Sequence, residues 1–184
     1  MTPLGLGWPN IISALRIALV PVLVVLVLID TDAASYAAAA VFVAGGLSDG
    51  LDGYLARRHG MTTRTGMWLD PLSDKLLVSA AVISLVIVDR FPLWAAIIII
   101  VREIAVTLLR VARGTKGTAM PASGLGKAKT ASQLLAVTLY LLPLGPSADG
   151  FKLGVLILAV ILTLVSGLGY FIQFRRPASA RPAA

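Results

Sequence analysis

Charged residues divide the chain into uncharged, mostly apolar stretches at 17–29, 33–48, 76–88, 91–101, 130–148 and 153–174. A helix needs about 20 apolar residues to cross a bilayer, at a rise of about 1.5 Å each. The runs 130–148 and 153–174 reach that length unaided. The other four reach it only if the charged residues at their ends are carried into the membrane, and ionisable groups held there are costly and usually functional. The pattern predicts six helices, over about 10–29, 34–57, 67–88, 92–112, 128–145 and 152–174, the alternative being four spans with re-entrant segments. Asp30-Thr31-Asp32, Asp89-Arg90-Phe91-Pro92 and the group Pro143, Gly145, Pro146 and Gly150 supply the breaks.

Composition points the same way. Of 184 residues, 58% are hydrophobic and 14% charged, whereas a soluble domain has about 45–50% apolar and about 25% charged residues. Composition argues against both a soluble enzyme and a disordered chain. The expected class is all-α, an integral membrane bundle of six transmembrane helices. It is expected to form one domain over 1–174, followed by a basic Pro/Ala/Arg-rich tail, 175–184, expected to be disordered. No secretory signal pattern precedes the first run. With no cysteine and His59 as the single histidine, disulfides, zinc-thiolate sites and thiol nucleophiles drop out, and a His-rich metal site or a Ser-His-Asp triad is implausible.

The formal charge of +7 changes the picture through its distribution. Arg57, Arg58 and Arg64 follow the second run. Arg113, Lys116, Lys127 and Lys129 follow the fourth, and Arg175, Arg176 and Arg181 follow the sixth. The opposite loops hold only Arg90 and Lys152. By the positive-inside rule both termini are cytoplasmic, and the excess charge serves topology and lipid headgroups rather than nucleic acid.

Candidate chemistry concentrates between Asp49 and Asp74. Asp49 and Asp52 are spaced i, i+3, and Asp70 and Asp74 i, i+4, so each pair shares a helix face. These are four of the chain's nine acids. Held together at the ends of two apolar helices they would repel one another, and burial would favour their neutral forms. A divalent cation removes both difficulties, and oxygen-only ligands favour Mg²⁺ or Mn²⁺ alongside substrate phosphates. Four carboxylates suffice for two ions about 4 Å apart. Gly53, Ala56 and Gly66 continue the same stripes with small residues, and Arg57 can take a phosphate oxygen. Solvated helix-end acids are the bland alternative for any one of these aspartates.

The eight residues Asp49, Asp52, Gly53, Ala56, Arg57, Gly66, Asp70 and Asp74 complete the pattern D-x2-D-G-x2-A-R-x8-G-x3-D-x3-D. By it the chain resembles the CDP-alcohol phosphotransferases. Pro9-Asn10 with Arg16, Leu69-Asp70-Pro71 with Lys75, Arg102-Glu103, Arg110 and Gly126-Lys127-Ala128-Lys129 with Gln133 are similar to the phosphatidylglycerophosphate synthase branch, so the likeness runs over about 9–172. Ser48, where Thr is common, and Met120-Pro121 depart from it.

The resemblance implies that Asp49, Asp52, Asp70 and Asp74 hold two metal ions, that Asp74 is also the base, and that Gly53, Ala56, Arg57 and Gly66 line the site for the CDP-linked lipid. It also implies a homodimer in the cell membrane with the active site facing the cytoplasm. The expected reaction joins CDP-diacylglycerol and sn-glycerol 3-phosphate.

An acceptor bearing its own phosphate needs cations, and Arg110, Lys127 and Lys129 lie on the signature side. Arg102 is open between substrate contact and pairing with buried groups such as Glu103; Lys127 and Lys129 are open between substrate and headgroups. Arg16 can snorkel to the interface. Trp8, Trp68 and Trp94 read as interfacial anchors, and Gly154, Gly167 and Gly169 with Ser166 as small-residue packing surfaces. Within the family the alternatives are a cardiolipin synthase taking phosphatidylglycerol and a phosphatidylinositol-phosphate synthase. A divalent-cation transporter is the alternative from another class, disfavoured because charge does not continue to the far side.

Overall fold

The computed structural model describes the backbone of residues 8–59, 66–114 and 124–175, and the side chains of 14–48, 75–109, 112 and 124–172. Among the described residues there are six α-helices and no strand: α1 Trp8–Ile29, α2 Asp32–His59, α3 Gly66–Ile87, α4 Leu93–Gly114, α5 Gly124–Leu141 and α6 Asp149–Arg175. The expected tail beyond Arg175 lies outside the described residues.

Helices α1 to α4 run on through the charged positions that interrupt the apolar runs. Each therefore has 22 or 28 residues, enough for about 33 Å or more at 1.5 Å per residue. The fifth helix departs from expectation. It begins at Gly124 and stops at Leu141, so the run 130–148 is not one helix. Pro143 is the reason, because it has no N–H to donate and disfavours helical geometry at the residue before it. A single 3-10 turn, Pro146–Ala148, then leads into α6. By length and composition, one helix among the described residues, Pro146–Ile172, can cross a membrane alone; Ala14–Ile29, Asp32–Ser48 and Lys75–Ile87 are shorter apolar stretches.

Aspartates close two helices. Asp30 and Asp89 have φ of 51° and 55°, the left-handed region that Asp tolerates better than most side chains. After α3 the Asp89 N–H donates to Val86 O at 3.1 Å and the Arg90 N–H to Leu85 O at 2.9 Å, the paired bonds of a Schellman stop.

Arg90 then ties this end of the bundle together. Its guanidinium donates to Asp30 Oδ1 (3.2 Å), Ser35 Oγ (2.7 Å) and the carbonyls of Leu141 and Leu142 (3.1 Å each). The ends of α1, α3 and α5 and the start of α2 thus lie together, and successive helices alternate in direction. The core between them is Leu23, Phe42, Leu77, Leu85, Ile99, Val137 and Leu156, with alanines such as Ala38, Ala81 and Ala95 where helices approach closely. The outer face is also apolar: Ile97, Val101, Ile104 and Leu108 on α4 and Ile157, Ile161, Leu164 and Leu168 on α6 are exposed.

Candidate functional site

Asp49 and Asp52 lie in the second half of α2, and Asp70 and Asp74 in the first turns of α3. The two helices pack together, and residues 60–65 join the end of one to the start of the other. Both pairs therefore belong to the end of the bundle opposite Arg90. Their side chains, with those of Gly53's neighbours Ala56 and Arg57, are outside the described residues, as is the side chain of Arg110 on α4. Gly66 is the first residue of α3. Among the described residues no group of three potential metal ligands occurs.

The α2 segment leading into Asp49 is held from α1. Arg16 does not snorkel; it is 1% exposed. Its Nε donates to Gly45 O at 3.1 Å and its Nη2 to Ser48 Oγ at 3.0 Å, while Ser48 Oγ donates to Gly45 O at 2.7 Å. Gly45 is needed at that crossing, since a Cβ there would stand 2.6 Å from Leu77 Cδ2 on α3. A buried cation with two hydrogen-bonded acceptors is therefore spent on fixing the residues just before the first aspartate.

A second polar group joins α4, α5 and α6. Glu103 Oε1 accepts from Arg102 Nη1 at 3.0 Å and from Lys129 Nζ. Arg102 also donates from Nε to Thr163 O (3.2 Å) and from Nη2 to Ser166 Oγ (2.7 Å). Gln133 Nε2 reaches Thr163 Oγ1 at 2.9 Å. Glu103, Lys129 and Gln133 are all buried. Gly167 makes room for Arg102, whose Cγ would lie 3.3 Å from a Cβ there; among the described residues, nothing lies within 4 Å of a Cβ at Gly154 or Gly169. Beside this group lies a water-sized cavity of about 30 Å³, lined by Gly46, Lys75, Glu103, Lys129, Thr130 and Gln133 among others.

The expected acceptor cations are thus placed differently from one another. Lys127 is exposed on the first turns of α5, whereas Lys129, two residues on, is buried against Glu103. Three nitrogens of Arg102 donate to protein acceptors. Spacing alone does not single out Glu103, Gln133, Thr163 and Ser166 as site residues, because they come together only through helix packing. The one local signal is the pair Arg102-Glu103 inside an otherwise apolar helix.

The family model for CDP-alcohol phosphatidyltransferase matches residues 6–165. The chain belongs to this family. Its relatives agree in kind. A Bacillus subtilis protein named CDP-diacylglycerol–glycerol-3-phosphate 3-phosphatidyltransferase is 41% identical over 178 residues, covering 89% of this chain and 92% of its own. A probable phosphatidylglycerophosphate synthase of Mycobacterium tuberculosis is 37% identical over 164 residues, covering 88% and 78%. A Rickettsia typhi protein with the same name as the Bacillus relative is 33% identical over 169 residues, covering 89% and 94%. As a CDP-alcohol phosphatidyltransferase, the chain carries its full aspartate signature on α2 and α3, with the Arg16 anchor before the first pair and, further on, the Arg102–Glu103–Lys129 group, of which Glu103 and Lys129 line a cavity shared with Lys75, the residue after the last aspartate.

Proposed function

We propose that this phosphatidyltransferase moves a phosphatidyl group from CDP-diacylglycerol to sn-glycerol 3-phosphate, giving phosphatidylglycerophosphate and CMP. The observation that carries the reading is 41% identity across 89% of the chain to the Bacillus subtilis protein of that printed activity. In this reading all six helices cross the cell membrane, with both termini and the signature end on the cytoplasmic side. Their alternating directions, their lengths and the apolar outer face support it. So does the concentration of Arg and Lys at that end. The homodimer implied by the resemblance belongs to the same proposal.

The donor set fits a hard divalent ion: Asp49, Asp52, Asp70 and Asp74 offer only oxygen, on helices that pack together. Mg²⁺ or Mn²⁺ held by these four residues, two ions per site, would neutralise the diphosphate and the charge gathering on the leaving CMP. Gly53, Ala56 and Gly66 keep the helix surface low enough for a nucleotide to lie against it, and Arg57 takes a phosphate oxygen. Asp74 accepts the proton of the attacking acceptor hydroxyl as its oxygen bonds to the lipid-side phosphorus. The bond from that phosphorus to the bridging oxygen breaks, and CMP departs with the electron pair. Arg110, Lys127 and Lys129 face the acceptor's own phosphate; Arg102 contributes by bracing Glu103. The acyl chains stay in lipid throughout while the cytidine and the acceptor arrive from water.

The test is an acceptor panel. Protein in detergent with Mg²⁺ or Mn²⁺ and CDP-diacylglycerol receives glycerol 3-phosphate, inositol 1-phosphate or phosphatidylglycerol, and CMP release is followed. Release with glycerol 3-phosphate is expected. Release with phosphatidylglycerol alone overturns the assignment in favour of a cardiolipin synthase.

A further inference from the structure

Among the described residues, Lys129 is the acceptor-side cation whose position the fold fixes. A lysine at a helix start ordinarily spreads its four-carbon stem over many rotamers, as the exposed Lys127 is free to do. Lys129 instead is 7% exposed, with its ammonium on Glu103 Oε1. Glu103 is in turn immobilised, since the same oxygen accepts from Arg102, and Arg102 is fastened to α6 through Thr163 O and Ser166 Oγ. The guanidinium also lies 6.0 Å from the Tyr170 ring centroid. The ammonium on α5 is therefore referenced to α4 and α6 rather than to its own stem.

Stability is a poor reason for such an arrangement. Burying an ion pair costs desolvation that its attraction often fails to recover, and apolar side chains of similar volume commonly do as well. In a bundle whose core is mainly apolar, a buried carboxylate shared by Arg102 and Lys129 calls for another role. Its location suggests one. The cavity beside it is walled by Lys75, next to the last aspartate, and by Gly46, three residues before the first. Glu103 and Lys129 line this cavity together with residues of α2 and α3, the helices that carry the carboxylates.

We propose that Glu103 is a positioning residue for the acceptor: it holds the Lys129 ammonium at a fixed place from which to meet the phosphate of the incoming alcohol, and it touches neither substrate itself. The inference rests on the phosphatidyl-transfer reading above and adds a residue that the aspartate signature does not include.

The test is a split in Michaelis constants, read on the full-length protein in detergent. Glu103→Gln keeps the shape and an acceptor oxygen but loses the charge. It should raise KM for glycerol 3-phosphate about ten-fold, the effect of losing charge assistance on one hydrogen bond, and leave KM for CDP-diacylglycerol unchanged. Combined with Lys129→Gln it should do no more than Lys129→Gln alone, since it acts through that residue. If the Gln variant is not recovered folded, Glu103→Asp, which keeps the charge but withdraws it by one methylene, is expected to give the same split. Equal rises in both constants, effects that multiply in the double variant, or a lower Tm with both constants at wild-type values would overturn the proposal. Wild-type protein that uses phosphatidylglycerol and not glycerol 3-phosphate defeats the proposed function instead, and the split is then judged on the KM for phosphatidylglycerol.

Discussion

Arg90→Met tests the clamp at the end of the bundle remote from the aspartates. The guanidinium makes four hydrogen bonds there, to the α1 stop, the α2 start and the last carbonyls of α5. They are unequal. The pair with Asp30 is 3.2 Å long and its partner's side chain is 49% exposed, so it contributes at most about 1 kcal/mol. The other three matter more. Leu141 and Leu142 offer carbonyls where α5 has stopped, beyond the reach of a further helical turn; Leu142 O also accepts from the Leu144 N–H at 2.8 Å. With the Arg90 side chain 23% exposed, water can replace part of what is lost. Each of those bonds then contributes about 1 kcal/mol rather than the 1.5–3 kcal/mol of a fully buried charged bond.

The expected loss is about 3 kcal/mol, equivalent to about 6–12 °C in Tm on the scale of a domain this size. Arg90→Lys keeps the charge but, as a point donor, can serve only part of the fork, so it should recover about half. The assay is thermal unfolding in detergent, paired with kinetics at a temperature where both proteins are folded. Neither KM should move, because nothing at this end belongs to the site. A Met variant melting within about 2 °C of wild type, well inside the expected shift, would show that water satisfies the α5 carbonyls and that the clamp reasoning is wrong.

Arg16→Lys should reduce kcat about ten-fold at saturating substrates, since a point charge cannot bridge Gly45 O and Ser48 Oγ together; CMP release measures it, and an unchanged kcat would detach Arg16 from the placement of Asp49. Gly45→Ala places a Cβ 2.6 Å from Leu77 Cδ2 and should cost about 1–3 kcal/mol by overpacking. Adding Leu77→Ala should then cost less than the two changes separately, in the same unfolding assay. Asp74→Asn should abolish CMP release while CDP-diacylglycerol still binds, and chelation with EDTA should stop the wild-type reaction until Mg²⁺ or Mn²⁺ is returned; a fully active Asn variant would remove Asp74 as the base.

Much of the helix layout is legible in the sequence because charges and prolines are costly in the wrong place. Asp30, Asp89 and Pro92 mark helix ends in the sequence and mark them in the structure. The limit shows at α5. An uncharged run is not the same thing as a helix, and 130–148 satisfied the length criterion while containing the proline that ends the helix at Leu141. The aspartate signature is legible for a different reason. All eight positions lie within one pair of consecutive helices, where 3.6-residue periodicity alone says which share a face.

Arg16, Arg90 and Arg102 show what periodicity cannot supply. By position alone each is an arginine near an apolar run: snorkelling or topology accounts for Arg16 and Arg90, and Arg102 stays open between substrate contact and pairing with buried groups. Their partners lie 29 to 64 residues away, apart from Glu103, and no spacing rule links them. What they share is chemical. Every one donates to a backbone carbonyl of another helix or its end, and to a serine hydroxyl beside it: Gly45 O with Ser48, Leu141 O with Ser35, Thr163 O with Ser166. A planar donor fork suits that pairing, because it can serve a carbonyl and a hydroxyl at once. An arginine beside an apolar run is therefore best read together with the serines and small residues of other helices. Ser35, Ser48 and Ser166, unremarkable one at a time, mark where three helix contacts are tied.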